Sequence, residues 1–153
     1  LPPEAELSAI VWAVSQEFNE VGQLSTSDLD AWLNDKSREP PQLLDARRPE
    51  EYGVSRLPGA ILIDPDADVD EVIAMIDPSR PIVVYCSVGY RSSRLARRMI
   101  LAGVTQTSNL EGSIFKWGNE GRPLIRDNGT TRLVHPYDDS YGHMLREEYR
   151  SYQ

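Results

Sequence analysis

The chain has a single cysteine, Cys86, and the residues around it are of the types that anion chemistry needs. The stretch Pro81-Ile82-Val83-Val84-Tyr85-Cys86-Ser87-Val88-Gly89-Tyr90-Arg91-Ser92-Ser93-Arg94 opens as a β-branched apolar run, the pattern of a strand buried on both faces. Leu95, Ala96, Met99 and Ile100 then follow at the spacing of one helix face. Cys86 therefore sits where a strand hands over to a helix, and unpaired N–H groups and the positive end of the helix dipole converge there. A thiol in that place, with an arginine nearby, favours the thiolate, which is the nucleophilic form. The loop amides and Arg91 would also bind an anion a few ångströms from the sulfur. Gly89 lets the backbone turn tightly enough to aim its N–H groups inward. Arg91 at a helix N-terminus opposes the dipole unless an anion sits beside it. The expectation is a soft nucleophile coupled to an anionic substrate. A plain buried cysteine would leave the glycine and arginine of the same turn unexplained.

Several elements must position this loop. A helix is expected from about Ala5 to Val21, with Leu7, Ile10, Val11, Val14 and Phe18 on one face. Ser25-Thr26-Ser27-Asp28 then caps a second helix through Trp32 and Leu33. Gln42-Leu43-Leu44-Asp45 is a short strand, and Leu57-Pro58-Gly59-Ala60 is a turn that feeds another at Ile61-Leu62-Ile63. The aspartates Asp64, Asp66, Asp68 and Asp70 suit a surface loop and the start of a helix over Val69–Ile76. They lack the central glycine and terminal glutamate of a calcium loop. Gly103 marks a helix end, and Thr105 to Leu110 supplies a further strand. Alternating strands and helices predict an α/β fold, a small and mainly parallel sheet between two helical layers, with its ligand at a strand's carboxyl end.

The sequence Tyr85-Cys86-Ser87-Val88-Gly89-Tyr90-Arg91-Ser92 resembles the active-site loop of the rhodanese family of sulfurtransferases. Four residues separate Cys86 from Arg91, the length of the rhodanese loop, which is sized for the sulfur of a persulfide. The related cell-cycle tyrosine phosphatases and arsenate reductases have five. Asp45-Ala46-Arg47-Arg48-Pro49-Glu50-Glu51-Tyr52 is similar to the family's N-terminal signature, and Glu111-Gly112-Ser113-Ile114-Phe115-Lys116-Trp117-Gly118-Asn119-Glu120-Gly121-Arg122-Pro123 to its C-terminal one. The resemblance spans residues 24–124, leaving 1–23 as an N-terminal helical extension and 125–153 as a C-terminal extension.

The resemblance implies a rhodanese-like three-layer fold. It also implies a sulfurtransferase that moves a sulfane sulfur from thiosulfate, or a related anionic donor, to an external thiol or protein acceptor. Cys86 would be the nucleophile and carry the persulfide, and Arg91 would stabilise the donor and leaving group. Ser87, Val88, Gly89, Tyr90, Arg91 and Ser92 would form the binding loop. Asp45, Arg47, Gly112 and Trp117 would support it: the first two fix loops, Gly112 allows close approach to the active loop, and Trp117 packs in the core. No metal or organic cofactor is expected. Three rival readings stand beside it: a phosphatase or arsenate reductase; a redox sensor or persulfide carrier without turnover, the sensor forming a sulfenic acid at the same thiol; and a protein-interaction module that binds through the acidic surface and flanking helices, with Cys86 incidental.

A chain of 153 residues suits one sizeable core. Its net charge of −8 argues against nucleic-acid or anionic-membrane binding, and no apolar run approaches the ~20 residues of a membrane span. One cysteine excludes an internal disulfide, a Cys-x-x-Cys pair and a cysteine zinc site. His135 and His143 have no third ligand at metal spacing. Against the acidic background, Arg91 and Arg94 are the candidates for attracting an anion, with Arg97 and Arg98 on a solvated helix face. The Asn128-Gly129 pair signals a turn, and the tail beyond it packs on the domain or mediates homodimerisation. Because the chain starts at Leu1 rather than Met, an upstream segment is expected. The cytoplasm is favoured, and the periplasm follows if that segment is a signal peptide.

Overall fold

The apolar run Ile82–Tyr85 forms β4, the middle strand of a five-stranded sheet in a computed structural model that describes residues 2–153. β2 (Gln42–Asp45) and β5 (Thr107–Leu110) flank it, β3 (Ile61–Leu62) lies outside β2, and β1 (Gly22–Leu24) lies outside β5. The order is β1-β5-β4-β2-β3 and every pairing is parallel. All of β4 is buried, as a strand covered on both faces requires.

Side-chain alternation divides the core in two. Leu43, Val83 and Tyr85 face one cluster with Leu29, Ile114, Phe115 and Trp117. Leu44, Ile82 and Val84 face the other, with Leu95, Ala96 and Met99. The first layer holds α2 (Thr26–Asn34) and α6 (Ser113–Asn119), and the second α4 (Val69–Ile73) and α5 (Tyr90–Leu101). The expected α/β sandwich with a parallel sheet is therefore observed. α3 (Pro49–Val54) follows β2. α1 (Pro3–Glu17) places Leu7 in one cluster and Val14 in the other.

Ser25 caps α2 by accepting a hydrogen bond from the Asp28 amide at 3.1 Å, as its sequence position predicts. Other boundaries differ from the sequence expectation. α1 stops at Glu17 rather than near Val21, and the next residues turn into β1, an edge strand that straddles the expected boundary between residues 23 and 24. α4 stops at Ile73 because Met75 and Ile76 bond back three residues, to Val72 and Ile73, tightening the last turn. β6 (Leu124–Arg126) and β7 (Gly129–Thr131) form a hairpin in which Arg126 pairs with Gly129, so the turn residues are Asp127-Asn128.

Beyond the hairpin the chain packs on the domain through buried Val134, Met144 and Leu145 and a short α7 (Asp139–Gly142). The Asn119 side chain clamps this tail, donating to Met144 O at 2.9 Å and accepting from the Arg146 amide at 2.8 Å. Arg146 pairs with Glu4 at 2.7 Å and His143 pairs with Glu6, so the tail is also tied to α1. Among the described residues no helix is long and apolar enough to cross a membrane.

Candidate active site

Cys86 is the first residue past β4, and its side chain is buried. The turn that follows is made possible by Gly89, whose φ of 125° lies where side-chain-bearing residues are strained. That geometry brings the Gly89 N–H to 3.2 Å from Cys86 Sγ. From the first turn of α5, the Ser92 hydroxyl also lies 3.2 Å from the sulfur. Both are donors aimed at one atom, an arrangement that stabilises negative charge on it.

Ser92 Oγ is also 2.6 Å from Asn109 Oδ1. A hydroxyl has one proton to donate, so Ser92 serves either Asn109 or the sulfur at a given moment, not both. Asn109 is held from behind, its Nδ2 donating to Gln23 Oε1 at 2.7 Å.

The loop is anchored by α6. Ile114 and Phe115 donate their amides to the carbonyls of Cys86 (3.1 Å) and Ser87 (3.0 Å), and Ser113 Oγ accepts from the Cys86 amide at 3.2 Å. Donors that a helix N-terminus leaves without partners thus fix the loop. Gly112 plays a different part from the one expected. A Cβ there would meet the Lys116 side chain at 2.6 Å rather than the active loop, and the close approach is made by Ser113 and Ile114. Trp117 is buried, its indole donating to Pro123 O at 2.8 Å, so it packs as expected.

Arg91 has a partner that the sequence did not reveal. Its two terminal nitrogens each donate to Glu51 of α3 at 3.0 Å, and one also donates to Ser87 Oγ at 2.9 Å. Burial alone would raise the Glu51 carboxyl. The hydrogen bonds and charge of Arg91, the Arg48 amide and the charge of Arg47 overcome that and hold it at about 2. Arg91 therefore braces the loop against α3, and its charge is compensated. Behind this pair, Arg47 binds Asp45 through two nitrogens at 2.8 and 2.7 Å and donates to Ser55 O at 2.7 Å. Tyr85 bridges the same cluster, donating to Asp45 at 2.6 Å and accepting from the Leu57 amide at 3.1 Å. Burial, then the Asp45 charge, pushes the Tyr85 phenol well above its ordinary value, so its proton stays in place.

Above the sulfur is a cavity of about 500 Å3 with Cys86, Ser87 and Val88 as its floor. Helix α5 contributes Tyr90, Arg91 and Arg94 to its walls. The rest comes from both flanks: Ile10 and Glu17 from α1, Tyr137 and Tyr141 from the tail. Tyr137 has a φ of 70° and lies with its ring centroid 4.8 Å from the Arg91 guanidinium and 5.3 Å from that of Tyr141. The other arginines of α5 are engaged. Arg97 pairs with Glu20 at 3.5 Å, and Arg98 donates to the carbonyls of Pro65 (2.8 Å) and Ala67, so it is not the solvated side chain expected. The structure thus brings Cys86, Gly89 and Ser92 together, and adds around them Glu51, Asn109, Ser113 and both flanking walls, for which the sequence indicated no role.

Residues 25–120 match the family model of the rhodanese-like domain, more than half of the chain. The chain belongs to the rhodanese-like domain family. A sulfurtransferase of Allochromatium vinosum is 28% identical over 109 residues, covering 71% of this chain and 99% of that protein. The thiosulfate sulfurtransferase GlpE of Pseudomonas paraeruginosa is 31% identical over 101 residues, 66% of this chain and 78% of that one. Among solved structures, a rhodanese-like domain protein from Staphylococcus aureus superposes with a TM-score of 0.61 at 25% identity, over 70% of this chain and 99% of its own. A thiosulfate sulfurtransferase from Pseudomonas aeruginosa shares the fold with a TM-score of 0.65 at 24% identity, over 88% of this chain and 25% of that one.

Proposed function

We propose that the chain is a sulfurtransferase that moves a sulfane sulfur through a persulfide on Cys86. The observation that carries this reading is the sulfur itself, set on the floor of a cavity at the carboxyl end of β4 with the Gly89 N–H and Ser92 O–H each 3.2 Å away. With thiosulfate as donor, the Cys86 thiolate attacks the outer sulfur, the S–S bond of thiosulfate breaks and sulfite leaves with its electron pair. Cys86 is left as a persulfide held by the amides of the Ser87–Arg91 loop. Arg94 and the loop N–H groups attract the anion, and Arg91, braced by Glu51, keeps the loop in place. A thiophilic acceptor, an external thiol or a protein, then attacks the terminal sulfur and restores the thiolate. The four-residue spacing from Cys86 to Arg91 favours sulfur over the wider phosphate cradle.

The test is a thiosulfate:cyanide assay on wild type and Cys86→Ser, with intact mass recorded after thiosulfate alone. The expected result is a gain of one sulfur atom and thiocyanate production, both on wild type only. A stoichiometric gain without thiocyanate makes the protein a persulfide carrier. Folded, reduced protein that gives neither overturns the reading.

A further inference from the structure

Thiosulfate is a small inorganic ion, whereas the open cavity over Cys86 measures about 500 Å3, within the size range of sites for small organic ligands. Ile10, Val88, Tyr90, Tyr137 and Tyr141 give it apolar and aromatic walls. Its charged groups are distributed unusually. Of the four arginines of α5, Arg91 is paired with Glu51, Arg97 with Glu20, and Arg98 with backbone carbonyls. Arg94 alone has no such partner among the described residues, and it is exposed on the cavity wall. The acidic residues of α1 show the same pattern: Glu4 pairs with Arg146 and Glu6 with His143. Glu17 has no ion pair among the described residues and is also exposed on the cavity wall. Among the described residues, one unpaired cation and one unpaired anion thus border a cavity of mixed polar and apolar lining that reaches Cys86.

We infer that this cavity takes a zwitterionic thiol of amino-acid or small-peptide type, delivered as its persulfide, with its ammonium at Glu17, its carboxylate at Arg94 and its body against Ile10 and the tyrosines. The inference rests on the persulfide reading above and specifies the donor. The step is balanced without a co-reactant: Cys86–S⁻ + R–S–SH → Cys86–S–SH + R–S⁻. The S–S bond of the donor breaks, a new one forms to Cys86 Sγ, and the transferred sulfur keeps its proton and its oxidation state. The leaving thiolate departs with the electron pair of the broken bond.

Isothermal titration calorimetry of the full chain tests this with stable thioether probes. S-methyl-L-cysteine and S-methylglutathione represent the amino-acid and peptide sources. N-acetyl-S-methylcysteine lacks the ammonium, and S-methylcysteamine lacks the carboxylate. Saturable binding of at least one zwitterionic probe is expected, with each single-charge probe about fivefold weaker, the upper end for an exposed ion pair. Glu17→Gln should erase the difference made by N-acetylation, and Arg94→Gln the difference made by removing the carboxylate. Both side chains are exposed, so neither substitution threatens the fold. Equal affinity for all probes, or binding of none, overturns the inference. These probes carry no transferable sulfur, so such a result leaves the persulfide itself to be decided separately, by the mass gain on Cys86.

Discussion

Replacing Glu51 by glutamine should destabilise the protein in a manner that depends on pH. The Glu51 side chain is fully buried and accepts hydrogen bonds from both terminal nitrogens of Arg91, from Ser87 Oγ and from the Arg48 amide. Its carboxyl titrates at about 2 in the folded protein against 4.5 ordinarily. That difference corresponds to about 3 kcal/mol of folding stability. The sign follows from proton uptake. Below 4.5 the unfolded chain binds a proton at Glu51 that the folded protein refuses until about 2, so this stability is complete above 4.5 and lost as pH falls through 2. Glu51→Gln keeps the shape and abolishes the titration, leaving Arg91 without its counter-charge. Urea unfolding followed by tryptophan fluorescence should give a gap between wild type and variant of about 3 kcal/mol at pH 7, shrinking to about 1 kcal/mol at pH 3. Every other carboxylate is common to both proteins, so the change in the gap reports Glu51. A gap that is the same at both pH values, or one below about 0.5 kcal/mol at neutral pH, would refute the claim that this carboxylate holds the loop as an anion.

Ser92→Ala removes the hydroxyl 3.2 Å from Cys86 Sγ and should slow persulfide formation about 10- to 100-fold, the worth of one hydrogen bond to a charged group. An unchanged loading rate by stopped-flow mass analysis would assign the sulfur's stabilisation to the Gly89 amide alone. Gly89→Ala forces a side chain onto a φ of 125° and brings its Cβ to 3.3 Å from Asn109 Nδ2, which should cost about 1–3 kcal/mol and reduce turnover. A urea midpoint equal to wild type would show that the turn tolerates a side chain. Tyr85→Phe leaves the buried Leu57 amide without its acceptor and deprives Asp45 of a donor. The expected destabilisation is about 1–3 kcal/mol, and a neutral result in the same unfolding assay would mean that the cluster relaxes around the loss.

Which features the sequence announced depends on how far apart the partners are. The strand, Cys86, Gly89 and the first turn of α5 form one continuous stretch, so the approach of the Gly89 amide and Ser92 hydroxyl to the sulfur follows from local backbone geometry. Ser25 as a cap and Arg47 beside Asp45 are equally local. Glu51 and Arg91 are 40 positions apart, and Ser113 reaches the Cys86 amide from 27 positions away. Neither pairing leaves a periodic trace in either segment. β1 went unread for a similar reason: Gly22-Gln23-Leu24 has no alternation of its own and becomes a strand because β5 offers it an edge. The overrun of α4 has the opposite origin, since good helical spacing through Ile76 lost to a tightened last turn.

The same division separates the chemistry of the site from its selectivity. Both donors that reach Cys86 Sγ come from the strand–loop–helix unit, which lies within the residues 25–120 shared with the rhodanese-like family model. The cavity above the sulfur owes much of its wall to Ile10, Glu17, Tyr137 and Tyr141, which lie outside that range. These two walls are not independent, because Arg146 and His143 of the tail pair with Glu4 and Glu6 of α1. Exposed pairs of that kind contribute little stability singly, and the tail is held mainly by buried Val134, Met144 and Leu145 and by the Asn119 clamp. The pairs link one wall to the other. The Cys86 loop thus lies under a cavity whose shape owes much to this chain's own flanks. On the proposed persulfide route, changes in those flanks should alter the rate with different donors while leaving the mass gain on Cys86 in place.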